Sequence, residues 1–130
     1  MVTNTLVSIY EELLQKSSSS SHPDELRRIN PGTESFICYL GISKVEGIFI
    51  AFFHQNEPLR LNKIPSIKGL RIEEVEENDR IGVRLLPNEG ANLEIFFSLC
   101  WHLNETLGIH STAREISRSL LKELKMIEIE

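Results

Sequence analysis

Two apolar runs, SFICYLGIS (Ser35 to Ser43) and GIFIAFF (Gly47 to Phe53), constrain this chain more than anything else in it. The first sets Phe36, Cys38, Leu40 and Ile42 against Ile37, Tyr39 and Gly41, the two-residue period of a strand. The second is apolar on both faces. Such a strand sits in the middle of a sheet, covered on both sides, or by helices on one side and a partner on the other. KVEG (Lys44 to Gly47) has turn character and joins the two as a hairpin.

A second hairpin follows, LRIEEVEE and RIGVRLL, joined by Asn78-Asp79. In its later strand Ile81, Val83 and Leu85 face one way and Arg84 the other. In its earlier strand Leu70 and Ile72 share a face while Val75 is out of phase, which predicts a bulge or an edge position. The intervening HQNEPLRLNKIPSIKG is a long loop, because Pro58 and Pro65 bar a central strand.

Helical spacing appears three times. Thr5 to Lys16 carries Leu6, Ile9, Tyr10 and Leu13 on one face. SSSSSHPDE (Ser17 to Glu25) is too polar to be held in a core and reads as a mobile linker that leaves the first helix loosely attached. Leu93 to Leu107 bears a broad stripe of Phe96, Phe97, Cys100, Leu103 and Leu107. Asn92 is its N-cap and Gly108 its stop. Thr112-Ala113-Arg114-Glu115 is a capping box opening a last helix to about Met126, with Ile116, Leu120, Leu124 and Ile127 inward. The expected fold is α+β: an N-terminal helix (1–16), a Ser-rich linker (17–25), and a single α+β domain (26–130). In that domain a four-stranded antiparallel meander sheet is covered by two C-terminal helices.

The chemistry on offer is thin. Cys38 and Cys100 each lie in an apolar run and read as buried, reduced thiols. The four histidines have no metal-ligand spacing and there is no CxxC, so no metal and no cofactor are expected. His102 reads as a core or boundary histidine. No G-x-S-x-G and no phosphate-binding glycine loop occurs, and no catalytic residue is assigned. Neither a signal peptide nor an apolar stretch long enough for a membrane span is present, which predicts a cytoplasmic protein without membrane contact.

Three charged features remain. Glu73 to Asp79 holds five acids in seven positions, either a carboxylate cluster for a metal or a solvated strand end and turn. Pro23-Asp24 and Glu123-Leu124-Lys125 spell the letters of a PD-(D/E)XK nuclease signature, but the acid lies in the linker and the E-x-K on a helix, where i and i+2 diverge. Arg114, Arg118, Lys122 and Lys125 recur at intervals of four, four and three, lining up on one helical face. A basic stripe of that kind either tracks phosphates, in which case Arg27 and Arg28 could extend it, or is a solvated face with cations placed near a helix C-terminus and diluted by Glu115 and Glu123. The excess of 19 acidic over 14 basic residues argues against a chain wholly devoted to nucleic acid, although a local basic face can coexist with it.

The pattern Arg27-Arg28-Ile29, Phe36-Ile37, Pro65 followed by Gly69-Leu70, and a helix with Phe96-Phe97 leading to Leu103 resembles the N-terminal half of a family of bacterial PD-(D/E)XK motif proteins, which are encoded beside restriction-modification and phage-defence genes. The resemblance covers about residues 26 to 125. In that family the nuclease core follows this region, and nothing here matches its catalytic strands. It therefore implies a non-catalytic accessory domain that contacts a protein partner, DNA or a second copy of itself, with no small-molecule cofactor. The alternatives are a divergent metal-dependent nuclease using the acidic hairpin, and a small adaptor or inhibitor that masks a partner.

Overall fold

The structure is a computed structural model that describes residues 2–19, 25–29, 35–43, 45–61, 66–107 and 112–127. The chain runs α1 (Val2–Ser19), β1 (Glu25–Arg28), β2 (Phe36–Ser43), β3 (Gly47–His54), β4 (Leu70–Glu77), β5 (Arg80–Pro87), α2 (Leu93–Leu107) and α3 (Ala113–Met126). This is the expected α+β class, with helices at both ends of the chain. The sheet has five strands, all antiparallel, in the order β1-β2-β3-β5-β4.

Two sequence expectations are corrected here. The sheet gains a strand, because Glu25 to Arg28 pairs with Tyr39 to Ile42. Glu25, assigned to the linker, is thus in the sheet, and Ser17 to Ser19 are helical; Ser20 to Asp24 lie outside the described residues. Four residues with Leu26 as their one apolar side chain are too short to show a period. The sheet is also not a meander. The second hairpin enters reversed, so that β5 rather than β4 lies beside β3, with Ile50 opposite Leu85 and Phe52 opposite Val83. The long β3–β4 connection exists because the chain must cross β5 to reach the edge. On the way Leu59 donates its N–H to the Ile81 carbonyl at 2.7 Å, and Leu59 and Leu61 are buried.

The turns follow from local chemistry. Ser43 Oγ accepts the N–H groups of Val45 and Glu46, and Gly47 takes φ +81°, closing the first hairpin. Asn78 and Asp79 sit at φ +52° and +65°, the two-residue turn whose twist suits a hairpin. The register of β4 on β5 is unbroken from Leu70 to Glu77. Val75 is therefore not at a bulge. It faces the other side of an edge strand.

α1 is not loosely attached. Leu6 and Leu13 are buried, and the Tyr10 ring lies 5.6 Å from that of Phe97 in α2. Asn92 Oδ1 accepts the Glu94 N–H at 2.9 Å and caps α2; Thr112 Oγ1 accepts the Glu115 N–H at 3.1 Å and caps α3. All three helices bury their apolar stripes in one core with Phe36, Cys38, Leu40, Ile50, Phe52, Val83 and Leu85.

The opposite face of the sheet has a small core of its own, built among the described residues from strand residues alone: Ile37, Phe49, Ala51, Phe53 and Leu86, with Tyr39 and Val75 against them. Its residues are nevertheless buried, Phe49 to 5% exposure and Phe53 to 2%. Two devices achieve this without a helix. The rings lie down on the sheet, Phe49 over Gly41 and Phe53 over Gly82, positions where any Cβ would strike them. Above Phe49 stands the Arg84 guanidinium, 5.1 Å from the ring centroid. Arg84 Nη2 bonds both Glu46 (3.0 Å) and Glu73 (2.8 Å), and Arg71 bonds the same two carboxylates at 2.7 and 3.0 Å. This closed ring of four charges roofs the apolar patch.

Candidate functional site

The five acids of the second hairpin do not converge. Strand alternation sends Glu73 and Glu77 to the Arg84 face and Glu74 and Glu76 to the other, while Asp79 is in the turn. Glu73 is held by Arg71 and Arg84, and Glu74 Oε2 accepts the Leu61 N–H at 2.8 Å. Among the described residues no group of three His, Cys, Asp or Glu side chains is placed to hold a metal. Both cysteines are buried and free. Burial pushes both thiols well above their usual range, Cys100 further because of neighbouring Cys38, whereas Arg28 partly offsets the rise at Cys38. A neutral, inaccessible thiol is a poor nucleophile.

His102, expected in the core or at its boundary, is 55% exposed and meets Glu123 at 3.1 Å, joining α2 to α3. That contact occupies the Glu of the E-x-K letters. Pro23 and Asp24 lie outside the described residues.

The basic residues divide into two groups. Arg27 and Arg28 are on β1, at the sheet edge opposite β4. Arg27 is 2.6 Å from Glu12 of α1, and Arg28 reaches the Phe36 carbonyl at 3.5 Å. Their positions tie α1 and β1 to the fold and do not extend the stripe of α3. On α3, Ala113, Ile116, Leu120 and Leu124 are buried, and Arg114, Arg118, Lys122 and Lys125 are all exposed on the opposite side. No ion pair with a described residue engages Arg114 or Arg118.

Arg114 and Arg118 form one wall of a groove of about 460 Å³ between α3 and the β3–β4 connection. The other wall carries Glu57, Pro58 and Arg60. Arg60 was not singled out from the sequence, though a signal was there. In PLRL, Leu59 and Leu61 are both buried, so the residue between them must point out. Its wall is fixed by two backbone N–H groups, Leu59 donating to the Ile81 carbonyl on one side and Leu61 to the Glu74 carboxylate on the other. The nearest carboxylate to Arg60 is Glu74 at 4.0 Å, already used by Leu61. Glu57 lies 3.9 Å from the buried His54. The groove thus presents three guanidiniums and one carboxylate within a chain of net charge −5.

Comparison with protein-family models, with curated proteins and with solved structures finds no match to this chain. No described helix is long and apolar enough to cross a membrane.

Proposed function

We propose that this chain is a non-catalytic binding domain of the kind that accompanies restriction-like PD-(D/E)XK nucleases in phage defence, working through contacts with DNA or a protein partner. The observation that carries this is the inequality in how its charged groups are used. Two of the hairpin acids are committed, Glu73 to two arginines and Glu74 to a backbone N–H, while the cations of α3 stand exposed and without ion pairs to described residues. The link to defence nucleases rests on the sequence pattern, of which Gly69-Leu70 opens β4 and Phe96-Phe97 anchors α2 in the core.

The test is incubation of the purified chain with supercoiled plasmid in Mg²⁺ or Mn²⁺. The plasmid is expected to stay intact. Cleavage that disappears on Glu74→Ala or Asp79→Ala would replace this function by a divergent nuclease. The masking adaptor has one observation in its favour: Leu26 of β1 is 47% exposed and lines a shallow pocket with Tyr39 and Phe53 on the helix-free face.

A further inference from the structure

We infer that the groove between α3 and the β3–β4 connection seats the phosphodiester backbone of duplex DNA, with Arg60, Arg114 and Arg118 as the phosphate-contacting side chains. This rests on the binding-domain function proposed above and names its ligand and its residues.

Charge is the first reason. Three guanidiniums share a concave site whose described lining includes one carboxylate, Glu57, with Glu74 behind Arg60 at 4.0 Å, leaving a local excess of positive charge on an acidic chain. Gathering like charges on one surface costs free energy, which an anionic occupant returns. The adjoining cleft of about 200 Å³, on the other side of Glu57 and Pro58, is lined by Arg80 together with Asp79 and Glu57 and has no such excess. The field is therefore specific to the α3 side.

Geometry is the second. Ala113 and Arg114 open α3, and the first N–H groups of a helix have no intrahelical partner and carry the positive end of its dipole. Ser117 adds a hydroxyl between the two arginines. From the groove the row continues along the exposed side of α3 through Lys122 to Lys125. Eleven residues at 1.5 Å each give a row of about 16 Å, repeating roughly every 5–6 Å. An extended polyanion matches such a row, whereas a single phosphate would use only its start.

Among the described residues no aromatic side chain lines the groove, which separates duplex from single strand. Pro58, Ala113 and Leu121 are its apolar lining. Recognition of single strands depends on rings on which bases stack. Guanidinium forks without rings suit a backbone whose bases are turned away.

The experiment is fluorescence anisotropy with a short labelled duplex, titrated over a salt series. The three groove contacts alone give a slope of log K against log salt near −2.7, or a ~40-fold loss of affinity between about 50 and 200 mM salt, and contacts by Lys122 and Lys125 steepen it further. Arg60→Gln, Arg114→Gln and Arg118→Gln are each expected to flatten the slope by about 1. Arg80→Gln changes net charge equally from the neighbouring cleft and is expected to leave the slope intact. All four positions are at the surface, and circular dichroism melts confirm that the variants fold.

If wild type binds duplex but the four variants weaken it alike, the groove is refuted and DNA binding by the domain survives. If wild type does not bind duplex at low salt, the DNA contact itself is refuted. Tighter binding of a single strand overturns the duplex assignment. Equal competition by a poly-glutamate peptide of matched charge overturns the phosphodiester in favour of an acidic protein surface.

Discussion

Gly82→Ala tests the account of how the helix-free face is covered. Gly82 lies in β5 opposite Val75, under the Phe53 ring. A Cβ there would overlap the Phe52 carbonyl oxygen and the edge of that ring, whose Cε2 would be 2.7 Å away. The carbonyl belongs to a central strand and cannot retreat without disturbing the β3–β5 pairing. The ring is packed into the second core and only 2% exposed. The cost therefore belongs at the upper end of overpacking, ~3 kcal/mol. Unfolding entropy of about 2.1 cal/mol/K per residue gives ~0.27 kcal/mol/K for this chain. The melting temperature should then fall by roughly 11 °C. Gly41→Ala is the internal comparison. Its Cβ would meet the tip of the Phe49 ring and the Leu26 Cδ2 methyl at 2.8 Å, both side-chain atoms able to yield. About 1 kcal/mol and a drop of ~4 °C are expected there. Because part of the Gly82 clash is with Phe53, adding Phe53→Ala should give a total below the sum of the two single effects. Differential scanning fluorimetry of wild type, the three single variants and the double variant decides the matter. A Gly82→Ala protein melting within a degree or two of wild type, or below-par melting of Gly41→Ala by comparison, would show that the rings do not rest on the glycines as described.

Three further perturbations check other parts of the structure. Arg84→Met should cost ~2 kcal/mol or more, because it leaves Glu46 and Glu73 facing each other with Arg71 alone between them over Phe49; a urea unfolding midpoint equal to wild type would mean the charge ring adds nothing. Glu74→Ala removes the acceptor of the Leu61 N–H, and a loss of about 1 kcal/mol with faster proteolysis between Gln55 and Leu61 is expected; unchanged cleavage kinetics would show that this wall of the groove is held by other bonds. Both thiols are raised by burial, so above about pH 9 the unfolded chain releases their protons while the folded chain keeps them, and stability falls with rising pH by ~1.4 kcal/mol per pH unit for each thiol, with no effect below that range. Comparing urea unfolding of wild type and a Cys38→Ala/Cys100→Ala protein from about pH 8 to 10 isolates the effect, and parallel curves would contradict it.

The period of β2 and β5, the apolar run of β3 and the stripes of α2 and α3 were legible because each is long enough to show its pattern against the core. β1 was not, since Glu25 to Arg28 has a single apolar side chain and owes its strand conformation to pairing with β2. The strand order was also hidden. Local hydropathy is the same whether β4 or β5 lies next to β3, and what decides between them is a connection long enough to cross β5 with Leu59 and Leu61 as its inward anchors. The groove was half legible: helical spacing places Arg114 and Arg118 together, but Arg60 joins them through a non-local backbone bond from Leu59 to Ile81.

The apolar two-sidedness of β3 allowed either a second layer or a partner over the far face. The structure supplies a third solution: aromatic rings laid on glycines and a ring of charges drawn from three separate segments. Glu46 comes from the first hairpin turn, Arg71 and Glu73 from β4, and Arg84 from β5. This explains why the acids of the second hairpin are so dense without forming a site. Glu73 is needed as a roof, Glu74 as an anchor for the loop that presents Arg60, and the remainder lie on an edge strand and its turn, where charge discourages pairing with another chain. The same economy leaves α3 different from the rest of the molecule. Its cations are exposed, make no ion pair with a described residue and roof no core, which leaves them accessible to a charge from outside the fold.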